Sequence, residues 1–208
     1  MVLGIVEYNN MSKKVVLAVF GIFVILVAAG GGFFWWWQGR EIKGSPEDYV
    51  IVDRTDGTFV ENSKAGLSVM VPEGWDIEKL EPREGLLALY SPNIEGELRD
   101  NKVVPPLGGG CIIHVSVAYE YKDVNQLKLE SGYNLALLDV KSVEFEEVVI
   151  NDHQALKTIA DTKKIGLGIG IDIPHKDRTY SFLLIYADEE NDTCVQEFGN
   201  FLGTISIK

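Results

Sequence analysis

The chain has 208 residues, with 19 Lys and Arg against 31 Asp and Glu, and a formal net charge of −12. So acidic a balance argues against nucleic acid as a partner and against adsorption to anionic lipid, since both require a surplus of positive charge. The three histidines have none of the short spacings that make a metal site recognisable, and the two cysteines form no C-x-x-C pair.

Residues 1–14 form a short tail ending in Lys13 and Lys14, and either Met1 or Met11 is the start, since MSKKVVLAVF has the form in which membrane anchors begin. From Val15 to Trp37 there is no charged residue. As a helix this run would span about 35 Å, enough for a hydrocarbon core of about 30 Å. Residues 15–37 therefore read as a transmembrane anchor in the lipid bilayer. Lys13 and Lys14 lie at one membrane interface and Trp35, Trp36 and Trp37 at the other, where an apolar ring with one N–H donor is most stable. The competing reading is a cleaved signal peptide with Val15 to Val27 as its apolar region and Ala28-Ala29-Gly30 as its cleavage site. Cleavage there would leave GGFFWWW as an apolar new N-terminus. Arg40 and Lys43 balance the lysine pair, so charge does not orient the span. The form of a signal anchor does: it implies a single-pass protein of the cell membrane with its C-terminal domain outside the cytoplasm.

Residues 38–57 are expected as a polar linker and 58–208 as one globular domain. Leu67 to Val71 is a short apolar strand running into the turn Pro72-Glu-Gly-Trp75. Leu86 to Tyr90 is a second strand, and Cys111 to Tyr119 a third after the loop Pro105–Gly110. Asp123 and Gln126 are spaced as a capping box for a helix from Val124 towards Leu138. Four alternating segments follow: Val143–Ile150, Gln154–Ala160, Ile165–Ile173 and Thr179–Ala187. Their turns are short enough to require an antiparallel meander. Tyr180 to Tyr186 is apolar on both alternating faces, which predicts a central strand. A closing helix carries Cys194, Val195, Phe198, Phe201 and Leu202 on one stripe that must face the sheet. The expected class is α+β: an antiparallel sheet flanked by helices on both faces, an α/β/α sandwich preceded by one transmembrane helix.

GLSVMVPEGWDI, an apolar strand ending in V-P-x-G-W, resembles the opening of PsbP-like domains. The order that follows is also similar, with Ser91-Pro92 near the second strand, RTYSFLLIYA ending the meander and FLGTISI after the closing helix. The resemblance implies the PsbP-like fold over roughly residues 58–207, in a membrane-anchored member of bacterial type. It implies no single function, because the fold hosts several.

No catalytic, cofactor or metal site is recognisable. Asp188 to Asp192 imitates a calcium loop but lacks glycine at the sixth position and has Gly199 where the twelfth-position Glu belongs, so an acidic first helical turn is the better reading. Gly166, Gly168 and Gly170 alternate within a strand, with no helix following, which excludes a dinucleotide fingerprint. They clear one face of that strand for a helix or, alternatively, for a ligand or a partner strand. Gly108, Gly109 and Gly110 are expected as a flexible strand entry, since no Lys-Ser/Thr pair follows as in a phosphate cradle. His114 falls on a strand, His153 and His175 in turns. Cys111 and Cys194 both belong to apolar stripes, so they are expected either as one disulfide, permitted outside the cytoplasm, or as two separate buried thiols.

Two function classes follow. One is a non-catalytic, membrane-tethered extracytoplasmic binding or accessory module that acts on an unidentified protein partner. The other is an extracytoplasmic hydrolase or small-ligand-binding protein using a crevice bordered by GGGCIIH and the glycine strand.

Overall fold

The computed structural model describes residues 48–80, 86–99, 102–136, 139–187 and 191–208. Its elements are β1 (Val50–Arg54), β2 (Gly57–Asn62), β3 (Leu67–Met70), β4 (Asp76–Lys79), β5 (Leu86–Tyr90), β6 (Glu95–Arg99), β7 (Lys102–Gly109) and β8 (Cys111–Ala118). They continue with α1 (Val124–Ala136), β9 (Val140–Ile150), β10 (His153–Thr162), β11 (Gly166–His175), β12 (Arg178–Tyr186), α2 (Asn191–Gly203) and β13 (Ser206–Ile207).

Three antiparallel sheets result. The largest has the order β4-β5-β8-β12-β11-β10-β9, a second has β1-β2-β3-β13, and β6 and β7 form a ribbon. The meander β9 to β12 follows from its turns. Asn151 and Asp152 both take positive φ, 46° and 67°, between the paired residues Ile150 and His153, as a two-residue hairpin of matching twist requires. Lys176, at φ 55°, serves the turn between His175 and Arg178. β12 is the fourth of seven strands, the central place its two apolar faces predict.

Alternation gives the large sheet two unlike faces. On one, Ile113, Val115, Ile169, Ile171, Ile173, Tyr180, Phe182 and Leu184 are buried in a single cluster. That cluster also holds Val60, Leu67 and Val69 of the four-stranded sheet and Cys194, Phe198, Phe201 and Leu202 of α2. The rings of Phe182 and Phe201 meet edge to face at 5.9 Å between centroids. Val195, expected on the same stripe, is instead 36% exposed, since it lies at the stripe's margin. The C-terminal end of α2 is tied down by Asn151, whose Nδ2 donates to the carbonyls of Leu202 at 3.0 Å and Ile205 at 2.8 Å.

A disulfide joins Cys111 to Cys194, with Cα atoms 6.0 Å apart and a sequence separation of 83. It is one of the two expected fates of these cysteines. Trp75 is buried and packs in the same cluster, and its Nε1 donates to Glu197 Oε2 on α2 at 3.0 Å.

Several expectations are corrected. The fold is strand-dominated and is not the expected α/β/α sandwich with helices covering both faces, and no transmembrane helix stands in front of it among the described residues. Among the described residues there are two helices, and none is long and apolar enough to cross a membrane. One face of the large sheet is covered by the four-stranded sheet together with α2, while α1, which packs on β9 and β10, buries only Leu127. Residues 15–37, with Trp35, Trp36 and Trp37, and the lysines Lys13 and Lys14 lie outside the described residues. β1 lies within the stretch 38–57, so strand pairing begins before residue 58. Pro105–Gly110, expected as a loop, is largely strand: β7 pairs with β6, and only Gly110 forms the turn into β8. A Cβ on Gly110, at φ 72°, would come within 2.6 Å of Ser91 Oγ and 2.7 Å of Ile94 Cα, so that turn admits only glycine.

Two stability predictions follow from this core. Loss of the disulfide through paired Cys111→Ala and Cys194→Ala substitutions should cost about 2–5 kcal/mol in chemical denaturation, because it closes a long loop in the unfolded chain. Trp75→Ala should cost about 3–5 kcal/mol; an unchanged melting temperature would mean that the ring does not close the core.

Candidate functional site

The other face of the large sheet carries a cavity under α1. The helix starts where the sequence says it should: Asp123 Oδ1 accepts from Gln126 N at 2.9 Å, and Gln126 Oε1 accepts from Asp123 N at 3.0 Å. The side it turns to the sheet holds Leu127, then Ser131, Asn134 and Leu135. A stripe with one buried leucine and two polar residues cannot seal onto a sheet as α2 does.

The sheet beneath is also low. Pairing sets three rows across β10, β11, β12 and β8: Leu156-Asp172-Ser181-Ser116, Thr158-Gly170-Leu183-His114 and Ala160-Gly168-Ile185-Ile112. At the centre of these rows Gly168 and Gly170 provide no side chain, and Thr158, Ala160, Ser116 and Ser181 around them are small. The result is a cavity of about 310 Å³ whose walls include His114, Ser131, Asn134, Thr158, Asp172 and Leu183.

Its polar groups are few and poorly solvated. Burial raises the Asp172 carboxyl above its ordinary 3.8, a shift opposed by the hydrogen bond that Ser181 Oγ donates to Oδ1 and by the charge of Lys122. Burial likewise lowers His114 below its ordinary 6.5, so the imidazole is neutral at neutral pH. Thr158 Oγ1 is buried with no hydrogen-bond partner among the described residues. A buried hydroxyl left so is costly unless something in the cavity meets it.

This set can bind but lacks the connections of a catalytic relay. Among the described residues no hydrogen bond joins His114 to Ser116, Ser181 or Asp172, as activation of a serine would need. No group of three or more His, Cys, Asp and Glu among them is placed to hold a metal ion.

Of the residues singled out in the sequence, the structure brings His114, Gly168 and Gly170 together at the cavity and joins Cys111 to Cys194. Gly166 instead serves the β10–β11 turn at φ 79°. His153 and His175, which nothing in the sequence links, lie with ring centroids 4.7 Å apart. Asp188, Glu189 and Glu190 are outside the described residues, whereas Asp192 is an acidic residue in the first turn of α2. Sequence reading missed Thr158, Asp172 and Ser181. Their signal was the even-numbered polar positions of Leu156–Thr162 and the single Asp of the glycine strand, which share a face only once the register is known.

No protein-family model matches the chain, and none of the curated proteins matches it in sequence. Among solved structures it is similar to cyanobacterial PsbP (CyanoP) from Synechocystis sp. PCC 6803, with 12% identity and a TM-score of 0.47, over 82% of this chain and 96% of that one. That protein is of the kind the V-P-x-G-W resemblance names, but at such a TM-score neither function nor membrane attachment follows from the likeness.

The raised Asp172 carboxyl has a definite pH signature. Its folded pKa exceeds the unfolded one, so the folded state is favoured most below about pH 3.8, and that stability is lost as pH rises through the folded pKa. Asp172→Asn keeps an oxygen for Ser181 and removes the buried charge. The variant should melt above the wild type at pH 7, with the gap closing as the pH falls towards about 4; a variant less stable at pH 7 would show that the charge is held by compensating partners.

Proposed function

We propose that this protein is a non-catalytic extracytoplasmic binding module that holds a small, neutral, largely apolar molecule in the cavity between α1 and the seven-stranded sheet, and that residues 15–37 keep it at the membrane. The observation that carries this reading is the floor of Gly168 and Gly170 beneath a helix too polar to fill the space above them. The poorly solvated Asp172 and neutral His114 favour an uncharged guest, and Thr158 Oγ1 offers it a hydrogen bond. The disulfide supports an oxidising compartment, and the uncharged length of residues 15–37 supports the tether.

Of the alternatives, hydrolysis finds no connected nucleophile and base among the described residues. Docking of a protein partner is favoured by Leu129 and Tyr133, four residues apart on α1 and 76% and 72% exposed.

The cavity can be filled without damage to the strand. A Cβ on Gly170 would lie 3.8 Å from Thr158 Cβ, an ordinary contact, and glycine within a strand is itself unfavourable. Native mass spectrometry of the full chain purified from its own host should detect a bound small molecule that Gly170→Val displaces without loss of thermal stability. A wild-type chain without a bound molecule, or one equally retained by Gly170→Val, would overturn the reading.

A further inference from the structure

Away from the cavity, two histidines that sequence order keeps apart share one end of the large sheet. The β10–β11 pairing sets Leu156 opposite Asp172; the same register continued outward sets His153 opposite His175. Residues opposite one another on paired strands project from the same face, here the one that buries Ala155, Ile171 and Ile173. Both rings are only partly buried. Their centroids are 4.7 Å apart and their planes are inclined at 82°.

That spacing has a chemical meaning. An imidazole nitrogen binds a metal ion at about 2.0–2.1 Å, which puts each ring centroid about 3.2 Å from the ion; two such rings at ordinary ligand angles are then about 4.5–5.2 Å apart. We propose that His153 and His175 form a two-imidazole site for a divalent transition-metal ion of the class that prefers nitrogen ligands: Cu²⁺, Ni²⁺ or Zn²⁺.

Two further observations support the site. Neither ring takes part in a hydrogen bond or ion pair among the described residues, so no protein partner has to be displaced. The rings stand on paired strands, and the turn before His153 is fastened to the end of α2 through Asn151, so little order is lost on binding. The charges of Lys176 and Arg178 oppose a cation. That of Arg178 is partly offset, since its Nε lies 3.0 Å from Asp177 Oδ1 and its Nη1 donates to the carbonyl of Lys64 at 2.7 Å. With no third ligand among the described residues, the ion keeps open positions for water or an incoming ligand.

The probe is Cu²⁺, the strongest binder of the class, titrated into the untagged full-length protein in detergent and followed by calorimetry and electron paramagnetic resonance. One ion should bind per chain with two nitrogen ligands and should raise the melting temperature. His153→Ala and His175→Ala should each abolish this binding, and the isosteric His153→Gln should do so where alanine impairs folding. Equal binding by the doubly substituted chain, which would put the ion on the acidic surface or the amino terminus, overturns the proposal, as does absence of binding by the wild type. Gly170→Val should leave Cu²⁺ binding intact, so failure of the cavity reading and failure of this one are separable.

Discussion

Two-residue alternation through β8, β11 and β12 is the constraint on which the rest of the structure depends. Because neighbouring side chains must point to opposite faces, Ile113, Val115, Ile171, Phe182 and Leu184 collect on one side, and His114, Ser116, Gly170, Ser181 and Leu183 on the other. The first set needs a large apolar cover, which the four-stranded sheet and α2 supply. A shift of register by one residue would expose that set and bury Asp172 and the serines in its place, so the pairing is strongly specified.

The division of labour between the helices follows. α2 has a continuous aromatic and aliphatic stripe, is bonded covalently to the first residue of β8, and has its terminal carbonyls bound by Asn151. It is part of the core. α1 has a single buried leucine and is held by its capping box and by Lys128 above the ring of Phe145 at 5.7 Å. A helix anchored mainly at its start and edge can leave space beneath it, and this one does. The same difference would allow α1 to adjust to a guest while α2 and the disulfide keep the opposite face unchanged.

Much of the frame was legible in the sequence. The meander from β9 to β12, the central place of β12, the capping box at Asp123 and the closing helix are all encoded locally, by turn residues, by period and by composition. The strands β1, β2, β4, β6, β7 and β13 were not. β1 and β4 are short or exposed, and β7 carries prolines and glycines, which read as loop. Helix coverage was overestimated because a capping box and a plausible length mark where a helix lies and not how much of a sheet it hides.

By itself, the sequence determined an acidic chain with an uncharged N-terminal run, a disulfide-competent cysteine pair, and strand and helix positions set by interactions within a few residues. Tertiary structure decided what those elements enclose. Cavity formation required Gly168 and Gly170 to lie between Thr158 and Leu183 and beneath Ser131 and Asn134. The meeting of His153 and His175 required the β10–β11 register. Both depend on the pairing of residues distant in the chain, and no local propensity or spacing encodes such pairing until the strands have aligned.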